Sequence, residues 1–313
     1  MKRLGVVGTM VWDTIHGRDP AQPAVEEWGG IAYALAGLDA ALDDDWRLVP
    51  LIKVGRDLAP RAAAFLGDVR HAVPNARFLE VPEPNNRVTL RYLSAERRCE
   101  QLTGGVPVWT WPELGPLARD LDALYVNFIS GWEMSLETAQ QLRRGFPRRI
   151  YADLHSLFLG RTDDGTRILQ PLPGADSWFA CFDTVQLNEE EFTQLGPDPL
   201  VTAASALAAG CEALIVTLGV RGAVYFEQET DAQTHRRTGP VRTARVAVAA
   251  PPAGEADPTG CGDVLGAVTC AQLLRGAALE NALREGCRLA ARNVTHRGAT
   301  GLRDHLLGRL ATV

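Results

Sequence analysis

The sequence predicts an α/β fold: a three-layer sandwich with a mostly parallel central sheet, helices on both faces, and a small β lid. Three observations predict it. Short apolar, β-rich runs alternate with helical patterns along most of the chain, which is the signature of parallel strands joined by helical crossovers. These runs are apolar throughout rather than alternating, as strands covered on both faces are. Two stretches, about 13–28 and 81–111, break the alternation and supply the lid, so the chain reads as a single domain over residues 1–313 with two lid segments.

Leu4–Gly8 reads as the first buried strand, and the Ala/Leu-rich run Gly30–Leu42 as the first helix. Leu48–Val54 is a strand and Leu58–Leu66 a helix. The lid stretch 81–111 holds a hairpin, Arg87–Leu93 and Arg97–Leu102, about a Ser94-Ala95-Glu96 turn. Ala123–Phe128, Arg149–Asp153, Thr184–Leu187 and Ala213–Leu218 are further buried strands, each closing on a polar or turn residue, with helices at Ser135–Arg144 and Leu200–Ala209 between them. Thr243–Ala249 is a late strand, and Gly262–Arg275 and Leu279–Thr295 are the strongest helical patterns. In such sheets ligands gather at the carboxyl ends of the strands.

Composition excludes several classes. A net charge of -6 provides no basic field for nucleic acid or an anionic membrane surface. No apolar run reaches the length of a membrane span, and Met1-Lys2-Arg3 runs straight into a strand with no signal-peptide core. The six cysteines show neither a CxxC pair nor disulfide-like spacing, so they read as reduced thiols in a cytoplasmic protein. No G-x-x-x-x-G-K-[ST] is present and no GxGxxG follows the first strand, which excludes a P-loop kinase and argues against a dinucleotide-binding dehydrogenase.

The most informative stretch is Asp257-Pro258-Thr259-Gly260-Cys261-Gly262-Asp263, followed by the apolar run Val264–Val268. It reads as a tight turn opening into a buried helix, and such a turn aims backbone N–H groups and the positive end of the helix at an anion. An aspartate beside that anion hole is placed to accept a proton from an attacking hydroxyl. Together these are the parts of phosphoryl transfer to an alcohol. Three other stretches accompany it. Asn188-Glu189-Glu190-Glu191 follows a strand and suits a helix cap as well as a phosphate-side acidic group. Thr217-Leu218-Gly219-Val220-Arg221-Gly222 turns at a strand end, where its glycines permit close approach to a ligand. Gly29-Gly30 precedes the first helix.

In this order along the chain these stretches resemble the PfkB, or ribokinase-like, family of carbohydrate and nucleoside kinases. Asp257 to Asp263 is similar to the family's D-T-x-G-A-G-D signature, with Pro258 for Thr and Cys261 for Ala. The resemblance implies the ribokinase-like form of the sandwich and transfer of the ATP γ-phosphate to a hydroxyl of a sugar or nucleoside. It makes Asp263 the general base and the N–H groups of Gly260, Cys261 and Gly262 the anion hole. It lays Thr217, Gly219 and Gly222 along the ATP, and has Asn188 and Glu191 hold Mg²⁺, largely through water. Gly29, Gly30 and Asp13 fall where substrate hydroxyls bind. The family's usual Asn is replaced by Ala34, and Tyr33, Trp12 and Trp28 lean the acceptor toward a less polar alcohol such as a nucleoside. Some relatives bind K⁺ beside the residue matching Asp257, and some dimerise through the lid, for which the hairpin here is long enough.

Asp153-Leu154-His155 stands where relatives often carry D-x-N, with His155 read as a loop or packing residue. Gly55-Arg56-Asp57 is read as structural. Arg87, Arg91, Arg97 and Arg98 on the hairpin read as a charged edge that discourages sheet-to-sheet association, the alternative being recognition of a phosphorylated substrate. The rival from another class is a catalytically silent nucleotide- or sugar-binding protein on a kinase fold, against which the intact Asp263, Asn188 and Glu191 argue.

Overall fold

The computed structural model describes residues 1–17, 23–92, 98–229, 239–248 and 257–310. In chain order the strands are β1 (Lys2–His16), β2 (Val25–Gly30), β3 (Trp46–Gly55), β4 (Leu79–Val81), β5 (Arg87–Tyr92), β6 (Arg98–Thr103), β7 (Ala123–Asn127), β8 (Ile150–Asp153), β9 (Leu159–Arg161), β10 (Arg167–Leu169), β11 (Thr184–Asn188), β12 (Ala213–Thr217), β13 (Ala223–Gln228) and β14 (Val241–Val246). The helices are α1 (Ile31–Ala41), α2 (Ala59–Gly67), α3 (Trp111–Ala118), α4 (Leu136–Gly145), α5 (Ala175–Phe179), α6 (Glu189–Thr193), α7 (Pro199–Ala209), α8 (Cys261–Leu274), α9 (Leu279–Asn293) and α10 (Leu302–Leu306).

The central sheet runs β14-β13-β12-β11-β8-β7-β1-β3-β4. It is parallel from β12 to β4, and its β13 and β14 edge is antiparallel. One apolar layer packs α1, α8, α9 and α10 on one face, and the other packs α3, α4, α5 and α7 on the opposite face. The strands beneath are buried along nearly their whole length, as runs of Val, Leu, Ile and Tyr covered on both sides must be.

The first strand differs from its sequence reading. It continues past Gly8 to His16 because Thr9-Met10-Val11-Trp12 keeps an extended, buried pattern. Its first half pairs with β3 and β7, while its second half leaves that sheet and pairs with β2 and β5. With β6 antiparallel to β5, these strands make a small second sheet over residues of the two lid segments. The hairpin turn 93–97 lies outside the described residues. Trp12 and Trp28 face each other across the β1–β2 pair, edge to face with ring centroids 5.1 Å apart, so both indoles are spent on the sheet's own packing. Asp57 accepts from the Asn85 N–H at 2.8 Å and pairs with Arg87 at 2.7 Å, a structural tie like the one expected of the Gly55-Arg56-Asp57 turn.

α3 has no counterpart among the expected helices. Pro112, Gly115 and Pro116 disguise it, yet Thr110 and Glu113 form a reciprocal capping box and Pro112 sits in the first turn, where a missing N–H costs nothing.

Candidate active site

Four neighbouring strands end on the same edge of the central sheet with Thr217 (β12), Asn188 (β11), Asp153 (β8) and Asn127 (β7). Register places Thr217 beside Asn188 and Asp153 beside Asn127. The first turn of α8 docks on this row.

That turn is built by its small residues. Gly260 is the N-cap of α8 with φ +76°, a left-handed conformation that glycine adopts without the cost other residues meet. A β-carbon there would stand 2.2 Å from Tyr33 Cδ1, so the Tyr33 ring lies directly against the glycine. Asp257 Oδ1 accepts from the Thr259 N–H at 2.9 Å, and Asn293 of α9 donates to the Thr259 carbonyl at 2.8 Å, which locks the approach to the helix. The Cys261 N–H closes a turn on the Pro258 carbonyl at 3.2 Å. Those of Gly260 and Gly262 bond to no backbone carbonyl among the described residues, and Gly262 is exposed, as orphan donors of a helix start are. Asp263 is partly exposed at this opening. Its Oδ1 accepts a 2.6 Å hydrogen bond from Asn127 Nδ2.

On the other side of Asp263 lies a buried polar chain. Gln186, in the middle of β11, accepts from the Tyr151 hydroxyl at 2.8 Å and donates to Asp153 Oδ2 at 2.6 Å and to the Gly262 carbonyl at 3.0 Å. Asp153 accepts the His155 N–H at 3.1 Å. The His155 ring nitrogen Nδ1 is bonded to Glu191, whose other oxygen accepts the Asn188 N–H at 2.8 Å. Burial, reinforced by the charges of Asp263 and Glu191, pushes the Asp153 carboxyl up to about 8. Burial alone would lower the His155 imidazole; the Glu191 charge and hydrogen bond, together with Asp153, instead raise it to about 9.

The expected metal-holding pair has a definite structure. Asn188 caps α6, its Oδ1 accepting the Glu191 N–H at 2.9 Å, and Glu191 closes the box on the Asn188 N–H and side chain. Glu191 is 1% exposed and both of its oxygens are engaged, so the pair does not fit direct ligation of Mg²⁺. Among the described residues no group of three or more His, Cys, Asp or Glu is arranged to hold a metal ion.

Of the residues expected to bind the acceptor, Asp13 lies within β1 rather than beyond it, opposite Glu27 of β2, and is buried. Its carboxylate rests on Gly29: a β-carbon there would meet Asp13 Oδ2 at 1.8 Å, so only glycine fits. Gly30 starts α1, and Tyr33 follows one turn later, 1% exposed. Burial, then Asp13, Asp257 and Asp263, raise the Tyr33 phenol far above its ordinary range, which puts that ring amid all three carboxylates. Ala34 is buried in the core. Gly219 and Gly222, expected to lie along the nucleotide, bracket a short 3-10 turn between β12 and β13, and Arg221 pairs with Glu189.

The structure thus brings Asp13, Asp257 and the 260–263 turn around Tyr33, and sets Asn188 and Thr217 side by side, two and three strands from Asn127. Sequence reasoning missed Asn127, Gln186 and Asn293, and took His155 for packing. A signal existed for two of them: Asn127 is the polar end of an apolar strand, and Gln186 interrupts one.

The fold is that of the ribokinase-like kinases. Residues 165–305 match the model of the pfkB family of carbohydrate kinases. Similar solved structures include a pyrophosphate-dependent kinase in the ribokinase family, in a sulfate complex, at 17% identity over 99% of this chain and 100% of that one, with a TM-score of 0.75. A Burkholderia thailandensis nucleoside kinase in complex with inosine aligns at 17% identity over 98% and 97% of the two chains, TM-score 0.72. An Arabidopsis thaliana ribokinase complexed with ribose and ATP aligns at 19% identity over 99% of each, TM-score 0.71. No curated protein matches the sequence. Among the described residues no helix is long and apolar enough to cross a membrane.

Proposed function

We propose that the chain is a small-molecule kinase that transfers the γ-phosphoryl group of ATP, supplied as its Mg²⁺ complex, to a hydroxyl of a sugar or nucleoside. The observation that carries this reading is the partly exposed Asp263 carboxylate in the first turn of α8, directly after a glycine turn whose Gly260 and Gly262 N–H groups bond to no backbone carbonyl among the described residues. The alcohol oxygen forms its bond to Pγ as the bond from Pγ to the β-phosphate bridging oxygen breaks. ADP leaves, and the hydroxyl proton passes to Asp263. Gly260, Gly262 and the positive end of α8 stabilise the charge on the transferring group. The Thr217–Gly222 turn lies along the donor, Asp13 binds acceptor hydroxyls, and the small sheet of β2, β5 and β6 covers them as a lid. Glu191 takes no part as a direct metal ligand.

The test is a product-release assay over a panel of acceptors with two donors. Ribose, inosine and myo-inositol are natural first acceptors, since structural neighbours were solved with them, and pyrophosphate is the natural second donor. Turnover with ATP and at least one sugar or nucleoside supports the reading. Turnover with pyrophosphate alone overturns the donor assignment. Binding of ATP without turnover on any acceptor supports the silent binding protein instead.

A further inference from the structure

We infer that Asn127 is the positioning residue of the site: its side-chain amide orients the Asp263 carboxylate and holds it in the ionised, proton-accepting form. The inference rests on the reading of Asp263 as the base. Asn127 closes β7, is 0% exposed, and donates from Nδ2 to Asp263 Oδ1 at 2.6 Å, a short bond of the kind made to a charged acceptor. The amide can face the carboxylate only this way round, because its carbonyl oxygen would repel Oδ1.

The cost of the arrangement is visible. With Nδ2 turned to Asp263, Asn127 Oδ1 is buried without a hydrogen-bond partner among the described residues. Such an orphan costs about 1–3 kcal/mol, and an apolar residue ending this otherwise apolar strand would avoid it. An unsatisfied group of this kind calls for a reason outside packing. That reason is the second carboxyl: Asp153 lies beside Asn127 in register, and Asp153 and Asp263 each oppose the other's ionisation. Two such groups compete for one proton. A donor given to Asp263 lowers its proton affinity and leaves the proton with Asp153. The titratable groups facing Asp263 include Asp153 from β8, Tyr33 from α1 and Tyr125 from β7, whose hydroxyl reaches the Asp263 carbonyl at 3.5 Å. His155 and Glu191 stand behind Asp153. Asp153, when ionised, disfavours a charge on Asp263, and the Asn127 amide favours it.

The experiment compares Asn127→Leu with wild type by two readouts. The first is a ¹³C-carboxyl NMR titration of the resting protein, with Asp263 assigned from Asp263→Asn. The Asp263 midpoint is expected to move up by about one pH unit or more on losing the donor, and an unmoved midpoint overturns the inference. The second is steady-state kinetics on whichever panel acceptor turns over. A fall in kcat of about 10- to 100-fold is expected, with the KM values for donor and acceptor little changed and the acid limb of kcat displaced to higher pH. A rise in KM at unchanged kcat overturns it. Asn127→Ser repeats both measurements if the leucine variant does not fold. The titration needs no turnover, so a displaced midpoint in a protein inactive on every acceptor breaks the kinase reading while leaving the positioning intact.

Discussion

Glu191 and Asp263 are both carboxylates in the first turn of a helix on the same edge of the sheet, and the protein treats them differently. Glu191 is closed off: its oxygens are committed to Asn188 and His155, and it is buried. Asp263 is partly open to the surface, with the neutral Asn127 amide fixing Oδ1. One carboxylate has been made into a brace, and the other is the reagent of the proposed reaction. The difference comes from the helix that each residue begins. The five-residue α6 needs its cap to exist at all, whereas the 14-residue α8 is held by its buried apolar face and leaves its first-turn carboxylate available.

The largest expected effect tests the open carboxylate. Asp263→Asn should lose at least about a hundredfold in kcat while melting near the wild-type temperature, because the amide oxygen still accepts from Asn127. Near-wild-type turnover would remove Asp263 from the reaction.

Glu191→Gln should show the reverse pattern. A glutamine must turn an NH₂ toward N–H donors that now meet a carboxylate, leaving a buried mismatch. Losing hydrogen bonds to a charged group costs about 1.5–3 kcal/mol. A clear fall in melting temperature with a smaller loss of turnover is the expected result. If Glu191→Gln melts like wild type and turns over as poorly as Asp263→Asn, the distinction between brace and reagent is wrong.

The contrast also explains what the sequence could reveal. The Asp257–Asp263 turn and the Asn188–Glu191 box are contiguous, so their chemistry shows in local order. Asn127, Asp153 and Gln186 belong to three separate strands and meet only because the sheet order is β7-β8-β11, which no local pattern encodes. Most strands and helices fall within a residue or two of their expected ends, since a doubly covered sheet imposes long apolar runs. β1 is longer than its sequence pattern suggests because its passage from one sheet to the next carries no turn residue, and this puts Asp13 inside a strand.

A smaller effect concerns pH. Asp153 stands at about 8 in the folded protein against an ordinary 3.8, so the folded state holds a proton that the unfolded chain releases across that interval. Stability therefore falls as pH rises through it. His155, raised from 6.5 to about 9, acts in the same direction: its stabilisation is complete below 6.5 and gone above 9. The melting temperature should decline between pH 6.5 and 9, and the double variant Asp153→Asn, His155→Asn should flatten that decline. An equally steep decline in the double variant would show that these groups do not set it.

The smallest effect is expected at Cys261. A thiol at a helix N-terminus ordinarily gains thiolate character. Here Sγ lies 3.4 Å from the Ala290 carbonyl and takes the Asn293 amide at 3.3 Å, so it is turned toward α9 rather than to the opening beside Asp263. Cys261→Ala should leave turnover nearly unchanged. A maleimide should inactivate the wild type slowly, because the thiol must first leave α9, and ATP should slow it further by filling the turn. Cys99 is the other partly exposed cysteine, so the measurement belongs in a Cys99→Ser background. If Cys261→Ala in that background is inactivated as fast as its parent, the reacting group lies elsewhere and the thiol has no part in the site.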